Sequence, residues 1–156
     1  NNEKETNGAL HIHDDGNVWL HSGDLGVMDK NGFIKYTGRL KRLIVTSGYN
    51  VYPVQIEEVL EKHPAVMLSS VVGIPHPYKQ EVPKAFIVLN KGYRETEELV
   101  KELKELCSKN LPRYAKVYEY EFRKSLPRTM VGKVDFRKLQ EENNKLRREE
   151  RGKEKI

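Results

Sequence analysis

The chain has very little cysteine and no long apolar run among its 156 residues. A single cysteine, Cys107, excludes an internal disulfide framework and fits a reducing, cytoplasmic setting. No apolar stretch is long enough to span a membrane, and no secretory signal peptide with a cleavage site is present. The net charge of +5 comes from interspersed signs without a basic block, so it does not by itself indicate a nucleic-acid partner. We therefore expect a cytoplasmic globular protein with no membrane span.

The chain also lacks an initiator, since its first methionine is Met28. Residues 1–8 form a polar lead-in with no capped element of their own. We therefore expect a fragment of a longer protein. Hydrophobic residues make up 37% of the chain and charged residues 33%, which predicts a modest core beneath a heavily charged surface. The length suits one domain with a piece of another.

The order of predicted elements indicates an α+β fold. Residues 9–36 contain short alternating stretches bounded by Asp, Asn and Gly turns, which are typical of short strands. From residue 40 the predicted order is strand, helix, strand, strand, helix, strand, helix, which favours a small, mainly antiparallel sheet flanked by helices. The predicted strands are Leu40–Thr46, Val66–Ile74, Val82–Leu89 and Lys116–Phe122, and the predicted helices are Pro53 to about His63, Glu95–Asn110, and one beginning near Asp135.

The domain organisation follows from the same order. We expect residues 1–37 to be the C-terminal end of a large, β-rich N-terminal domain. Residues 38–42 are predicted to be a hinge, 43–140 a mobile α+β domain, and 141–156 a charged tail helix.

Three polar sites contain residues suited to chemistry. Asp24 follows a strand on the tight turn Ser22-Gly23, where a carboxylate can accept hydrogen bonds from two vicinal hydroxyls, such as those of a ribose. The second site is Gly38-Arg39-Leu40-Lys41-Arg42, followed by the turn Ser47-Gly48-Tyr49-Asn50. The third is the loop that ends in Gly132-Lys133, where a compact charge on a flexible stem suits an anionic target.

In this order and spacing the three sites resemble the adenylate-forming superfamily, which includes acyl- and aryl-CoA synthetases, adenylation domains of peptide synthetases, and firefly luciferase. The stretch from Trp19 to Gly26 is similar to the family's late N-domain motif, with Ser22 where Thr is usual. The stretch from Tyr36 to Pro53, with Glu57, is similar to the hinge motif and the loop after it. Leu126–Lys133 is similar to the final motif with its lysine.

The resemblance implies a role for each matched residue. Asp24 would bind the ribose hydroxyls of ATP, and Arg39 would contact the nucleotide near ribose and phosphate. Lys41 would be the hinge residue of a domain rotation. Gly48 would line the passage of the pantetheine thiol, and Lys133 would be catalytic, reaching the carboxylate and the α-phosphate during adenylation.

The implied function is that of the C-terminal part of an AMP-forming acyl-CoA synthetase, an enzyme that uses ATP, Mg²⁺ and CoA to activate a small-molecule carboxylic acid. Its own N-terminal domain, with the acyl pocket and phosphate loop, would be the partner without which the chain is inactive. One alternative is loading of a carrier protein, and another is luciferase-like oxidation, although Val45 stands where luciferases have lysine. A non-catalytic binding or regulatory module is the alternative from a different class.

Two further patterns have structural interpretations. His11 and His13 share a strand face beside Asp14 and Asp15, but further ligands are lacking, so no metal site is predicted. The alternating Tyr118, Tyr120 and Phe122 are interpreted as a core-facing stripe and not as a base-stacking platform, and no nucleic-acid role is predicted.

Overall fold

The helices and strands fall into two units that divide between Lys41 and Arg42, as seen in a computed structural model that describes residues 2–153. The predicted hinge at residues 38–42 stays a prediction. None of the helices formed by the described residues is long and apolar enough to cross a bilayer.

The first unit begins with a short helix, α1 (Glu3–Ala9). Asn2 caps it, because its side chain accepts a hydrogen bond from the backbone N–H of Glu5. The acidic residues in its first turn interact favourably with the helix dipole and so stabilise the helix. The expectation of an uncapped polar lead-in is therefore wrong.

Two antiparallel hairpins complete the first unit. One pairs strand β1 with β2, and the other pairs β3 with β4. No residue of β1 or β2 is buried within this chain, and large apolar side chains such as Ile12 and Ile34 are about three-quarters exposed, at 76% and 74%. The strands are β1 (Leu10–Ile12), β2 (Val18–Leu20), β3 (Asp24–Met28) and β4 (Ile34–Arg39).

A five-stranded sheet forms the centre of the second unit, with order β6-β5-β8-β7 and with β9 also paired to β8. The β8–β9 pairing is parallel and the other pairings are antiparallel, which confirms the predicted mainly antiparallel sheet. The first predicted strand of this region begins later than expected, because residues Leu40–Arg42 form a 3₁₀ turn. The strands are β5 (Ile44–Thr46), β6 (Tyr49–Val51), β7 (Val66–His76), β8 (Gln80–Leu89) and β9 (Glu119–Phe122).

Three helices cover this sheet: α2 (Pro53–Leu60), α3 (Glu97–Asn110) and α4 (Phe136–Lys153). Proline at the first turn of α2 supplies the required φ where no N–H partner is needed. Thr96 caps α3 by accepting a hydrogen bond from the backbone N–H of Leu99 at 3.1 Å.

The core lies on both faces of the sheet. Along β8, Ala85 and Ile87 belong to the cluster that α2 and α3 cover, whereas Phe86 and Val88 belong to the cluster that includes Leu139 of α4. Period-two alternation thus supplies both layers from one strand. The predicted α+β fold is confirmed, with helices on each side of the sheet.

Helix α4 runs without a break across residues 140 and 141, between which the predicted domain ends and the predicted tail helix begins. Leu139 is 0% exposed and Asn143 only 2% exposed, so the helix packs on the sheet on both sides of that boundary. Ion pairs from Arg123 to Glu142, at 2.7 Å, and from Arg147 to Glu119 join it to β9 and the residue after that strand. The predicted tail also includes residues 154–156, which lie outside the described residues.

Candidate functional site

Asp24 and Arg39 are brought together by the register of β3 and β4, in which they are directly opposite each other. The Nε of Arg39 donates to Oδ1 of Asp24 at 2.7 Å. Both side chains are exposed within this chain. The carboxylate therefore keeps accepting capacity beyond its contact with Arg39, and a cation lies beside it.

The turn before Asp24 fixes where its carboxylate points. Gly23 has φ of +77°, in the left-handed region that glycine enters without strain. The Oγ of Ser22 accepts a hydrogen bond from the backbone N–H of Asp24 at 3.1 Å, and the carbonyl of Gly23 accepts one from Leu40 at 2.8 Å. Ser22, which stands where threonine is usual in the family that the sequence resembles, supplies the accepting hydroxyl oxygen of this contact.

Gly48 lies in a two-residue hairpin between β5 and β6, since Thr46 pairs with Tyr49. Ser47 has φ of +48° and Gly48 has φ of +82°, the pattern of a type I′ turn. A Cβ at Gly48 would meet no atom within 4 Å. Local crowding within this chain therefore does not explain the glycine; the backbone conformation does, and the space beside it is open.

Lys133 lies on a hydrogen-bonded loop that an isolated antiparallel bridge between Arg128 and Val134 closes. The backbone N–H of Thr129 donates to the carbonyl of Lys133 at 2.7 Å, and that of Gly132, with φ of +82°, donates to Thr129 at 2.9 Å. The guanidinium of Arg128 donates to the carbonyl of Gly132 at 2.6 Å. The backbone of the loop is thus fixed while the side chain of Lys133 remains exposed.

Helix α4 begins directly after this loop. Asp135 accepts a hydrogen bond from the backbone N–H of Lys138 at 3.2 Å, which caps the helix, and its own N–H donates to Pro127 at 2.8 Å. The apolar side chains of Met130 and Val131 at the loop tip are exposed. Lys133 is therefore carried on a hydrogen-bonded loop that is anchored to the start of α4 and has an exposed apolar tip.

Lys41 is exposed, and among the described residues its side chain makes no hydrogen bond or ion pair. Gly48 and Lys133 lie on separate loops of the second unit, and no hydrogen bond between described residues joins those loops. The sequence reasoning missed the pairing of Arg42 with Glu57. Both residues stand in the quoted hinge region, but a contact between residues this far apart in the chain has no local pattern that would reveal it.

The histidines of the first hairpin cluster without forming a metal cage. His13 and His21 approach through their Nε2 atoms at 2.7 Å, and His11 lies beside His21 with ring centroids 4.4 Å apart. In the part of the chain that the structure describes, no group of three or more His, Cys, Asp or Glu residues could hold a metal ion.

The chain is similar to known proteins in both sequence and structure. Residues 55–133 match the family described as the AMP-binding enzyme C-terminal domain, and the match ends on Lys133. The long-chain-fatty-acid–CoA ligase of Bacillus subtilis (strain 168) is 44% identical over 124 residues, which is 80% of this chain and 22% of that protein. The chain thus spans between a fifth and a quarter of the length of this curated relative.

Solved structures agree with that match. Two similar structures are ATP-bound MatB from Rhodopseudomonas palustris (TM-score 0.75, 32% identity, 88% of this chain and 26% of that one) and the o-succinylbenzoate CoA synthetase of Bacillus subtilis with its acyl-adenylate intermediate (TM-score 0.74, 32% identity, 86% and 26%).

Proposed function

Since this chain belongs to the family of AMP-binding enzyme C-terminal domains, we propose that it is the C-terminal part of an AMP-forming acyl-CoA synthetase. The observation that carries the proposal is the presentation of Lys133: an exposed ammonium on a hydrogen-bonded loop, at the end of the family match. The relatives named as CoA ligases support thiol transfer to CoA over loading of a carrier protein.

The proposed reaction has two steps. A carboxylate attacks the α-phosphorus of ATP, the bond to the β-phosphate oxygen breaks, and pyrophosphate leaves. The thiol of CoA then attacks the acyl carbon of the adenylate, loses its proton, and displaces AMP. Lys133 would place its positive charge where negative charge develops on the carboxylate and the α-phosphoryl oxygens, and such a contact contributes on the order of 10²-fold or more in rate.

The other site residues receive roles that fit their positions. The Asp24–Arg39 pair would bind the ribose and the adjacent phosphate, with the carboxylate accepting from the hydroxyls. Lys41 would be the residue about which the C-terminal unit rotates between the two steps. Gly48 would line the thiol passage, for which the open space beside its hairpin turn is suited.

Mg²⁺ would be bound with ATP. This ion is commonly held by substrate phosphates and a few carboxylates, and keeps several waters. The described residues offer no cluster of three or more potential ligands, so they do not form a cage of their own for it. We therefore assign no step of this chain to the ion.

The missing partner would be the enzyme's own N-terminal domain. The hairpins of the first unit expose large apolar side chains, and an apolar surface of this kind is typical of one that packs against another body. The share of the relatives that the chain spans leaves room for that domain. We propose a cytoplasmic location for the whole enzyme; the free, buried thiol of Cys107 is compatible with such a reducing compartment.

The test joins this chain to the upstream part of the Bacillus subtilis ligase and measures ATP–pyrophosphate exchange with a fatty acid. We expect exchange from the joined protein and none from the 156-residue chain alone. Lys133→Met should lower exchange by about 10²-fold or more. The matched control is Lys138→Met, an exposed lysine on α4, which should leave the rate unchanged.

The intact Bacillus subtilis ligase, assayed in parallel, establishes that its upstream part is competent. Exchange by the chain alone would contradict the assignment of the nucleotide and acyl pockets to the missing domain. A normal rate with Lys133→Met would remove the catalytic role of that lysine.

A further inference from the structure

Arg42 is the first residue of the second unit, and its side chain is held from several directions. Its Nη2 pairs with Oε1 of Glu57 on α2 and donates to the carbonyl of Val71 on β7 at 3.3 Å. Its guanidinium carbon lies 5.0 Å from the ring centroid of Phe136 on α4, within cation–π range. Only 20% of the Arg42 side chain is exposed. The guanidinium cannot turn away without losing contacts to three elements.

Glu57 closes the arrangement into a ring. Its Oε1 also accepts a hydrogen bond from the backbone N–H of Val71 at 2.7 Å, and its side chain is only 12% exposed. Both backbone polar groups of Val71 therefore contact this ion pair. Arg42, the last residue of the predicted hinge, is tied in this way to α2 and to β7, the longest strand of the second unit.

Stabilisation of the fold does not by itself explain why an ion pair between Arg42 and Glu57 occupies this position. A buried ion pair loses hydration on both partners, and an apolar replacement of similar volume is often as stable. The Nε of Arg42 is buried and has no partner among the described residues, which adds a further cost. What the pair supplies beyond an apolar contact is a fixed direction for the side chain and, through it, for the backbone of residue 42.

The preceding residue differs sharply. Lys41 is exposed, its side chain contacts no hydrogen-bonding partner in the described range, and the two units divide at the peptide bond that joins it to Arg42. A residue without side-chain restraint and a restrained residue thus stand next to each other at the boundary.

We propose that Arg42 is a positioning residue that clamps the start of the C-terminal unit, so that the backbone torsions at Lys41, and not those after it, take up the domain rotation. The restraint on Arg42 is independent of the proposed function, whereas the domain rotation and its importance for turnover rest on that function. A rotation confined to one residue returns Lys133 and Gly48 to defined positions. Bending spread over several residues would lower the fraction of molecules in which these residues are oriented for reaction.

The first test uses the 156-residue chain and brief digestion with trypsin, with the initial fragments identified by mass. Trypsin cleaves after a lysine or arginine whose side chain enters its acidic pocket. We expect cleavage after Lys41 and at least about tenfold slower cleavage after Arg42. Glu57→Gln should raise cleavage after Arg42 by roughly 10-fold or more relative to cleavage after Lys41, since it removes the charged partner. Glu58→Gln, at the exposed neighbour on α2, should leave the ratio unchanged.

Cleavage after Lys84, which is buried in β8, reports global unfolding and should stay slow in every variant. Equal cleavage after Lys41 and Arg42 in the unaltered chain would overturn the proposal, as would an unchanged ratio with Glu57→Gln. A rise at Lys84 in step with the rise at Arg42 would also overturn it, because the pair would then only stabilise the unit as a whole.

The second test uses the joined enzyme and measures adenylation, and thioester formation from preformed acyl-adenylate, as separate rates. Glu57→Gln should lower both rates by about three- to tenfold. Leu103→Ala, which removes a fully buried side chain of α3, an element that supplies none of the Arg42 contacts given above, should lower the melting temperature and leave both rates unchanged at 25 °C.

The two proposals fail in different ways. If the unaltered joined protein makes neither acyl-adenylate nor thioester while the intact ligase does, the proposed function fails and the trypsin result stands. If it is active and Glu57→Gln has the rates of the unaltered enzyme, the positioning role fails.

Discussion

At the scale of single residues, backbone conformation alone explains several glycines of the candidate site. Gly23, Gly48 and Gly132 all have φ between +77° and +82°, so each would resist most replacements even in a protein with no catalytic role. The turn and the site therefore require the same residue type. Measurements of the free energy of unfolding of the 156-residue chain can separate the conformational requirement for glycine from a functional one. In such measurements only the cost of the backbone conformation is detected.

Gly48 gives a prediction of this kind. Gly48→Val places a β-branched residue at φ of +82° and should lower the free energy of unfolding by about 1–2 kcal/mol, although no atom would clash with its Cβ. Gly48→Asn is the matched control and should cost less, since asparagine tolerates the left-handed region. Urea unfolding of the 156-residue chain measures both. Equal losses would show that something other than the torsion limits this position.

Cys107 should be protected as a thiol. Burial raises its pKa, and a hydrogen bond with Tyr120 offsets that effect only in part. Because the thiolate is the reactive form, alkylation by iodoacetamide at pH 8 should be at least about a hundredfold slower in the folded chain than in urea. The measurement is the rate of mass increase. Similar rates in the two conditions would place Cys107 outside the core.

At the scale of helices and strands, prediction from sequence succeeded where one pattern dominated. The β7 and β8 runs and the capped α3 were predicted nearly to their ends, because continuous apolar residues or a strict three- and four-residue spacing define them. The 3₁₀ turn at Leu40–Arg42 and helix α1 were missed. In the first case a contact of Arg42 with distant residues competes with the local pattern, and in the second a single cap at Asn2 stabilises a polar segment.

The candidate site was predicted in part for the same reason. Its residues could be chosen from motifs, but the pairing of Asp24 with Arg39 depends on strand register, and that of Arg42 with Glu57 on the packing of α2. Neither contact is encoded in local spacing. The role of Asp24 and Arg39 in nucleotide binding stays a prediction.

Helix α4 is expected to stabilise the second unit through its buried face. Leu139→Ala should lower the free energy of unfolding by about 2–5 kcal/mol, because it removes a fully buried side chain and leaves a cavity against Phe86 and its neighbours. Leu146→Ala, on the same helix but about half exposed, should cost much less. Urea unfolding measures both. If the two variants lose equal stability, α4 is not packed on the sheet as described.

The ionic cluster between the sheet and α4 should make stability depend on pH. Burial alone would raise the pKa of Glu121, but hydrogen bonds and charges from Lys84 and Arg123 outweigh it and lower that pKa below its ordinary value of 4.5. A lowered carboxyl pKa stabilises the folded state above pH 4.5, and this contribution is lost as the pH falls through the folded-state pKa.

Glu121→Gln should therefore destabilise the chain at neutral pH and reduce the loss of stability on acidification below pH 4.5. Thermal unfolding across that range is the measurement. Glu105→Gln, at an exposed position of α3, should follow the unaltered curve. The same acid response in Glu121→Gln as in the unaltered chain would assign the pH dependence to other carboxylates.

At the scale of the whole molecule, the apolar core belongs to the second unit, whereas the Asp24–Arg39 pair belongs to the first. Both apolar clusters consist of residues of the second unit, whereas in residues 2–41 only Gly38 is buried. The hairpin that carries Asp24 and Arg39 therefore lacks a core of its own in this chain. Hairpins of this kind are marginal in water without further packing.

A truncated chain beginning at Arg42 should consequently fold on its own. Because the removed residues bury almost nothing, we expect the free energy of unfolding to change by less than about 1 kcal/mol, with a single cooperative transition in urea. The m-value should fall only slightly, since m follows the surface exposed on unfolding. A loss of cooperativity, or a loss of several kcal/mol, would mean that residues 2–41 contribute to the core after all. Retained stability would support the proposed assignment of residues 1–37 to an N-terminal domain, whose apolar surface would then have to order Asp24 and Arg39.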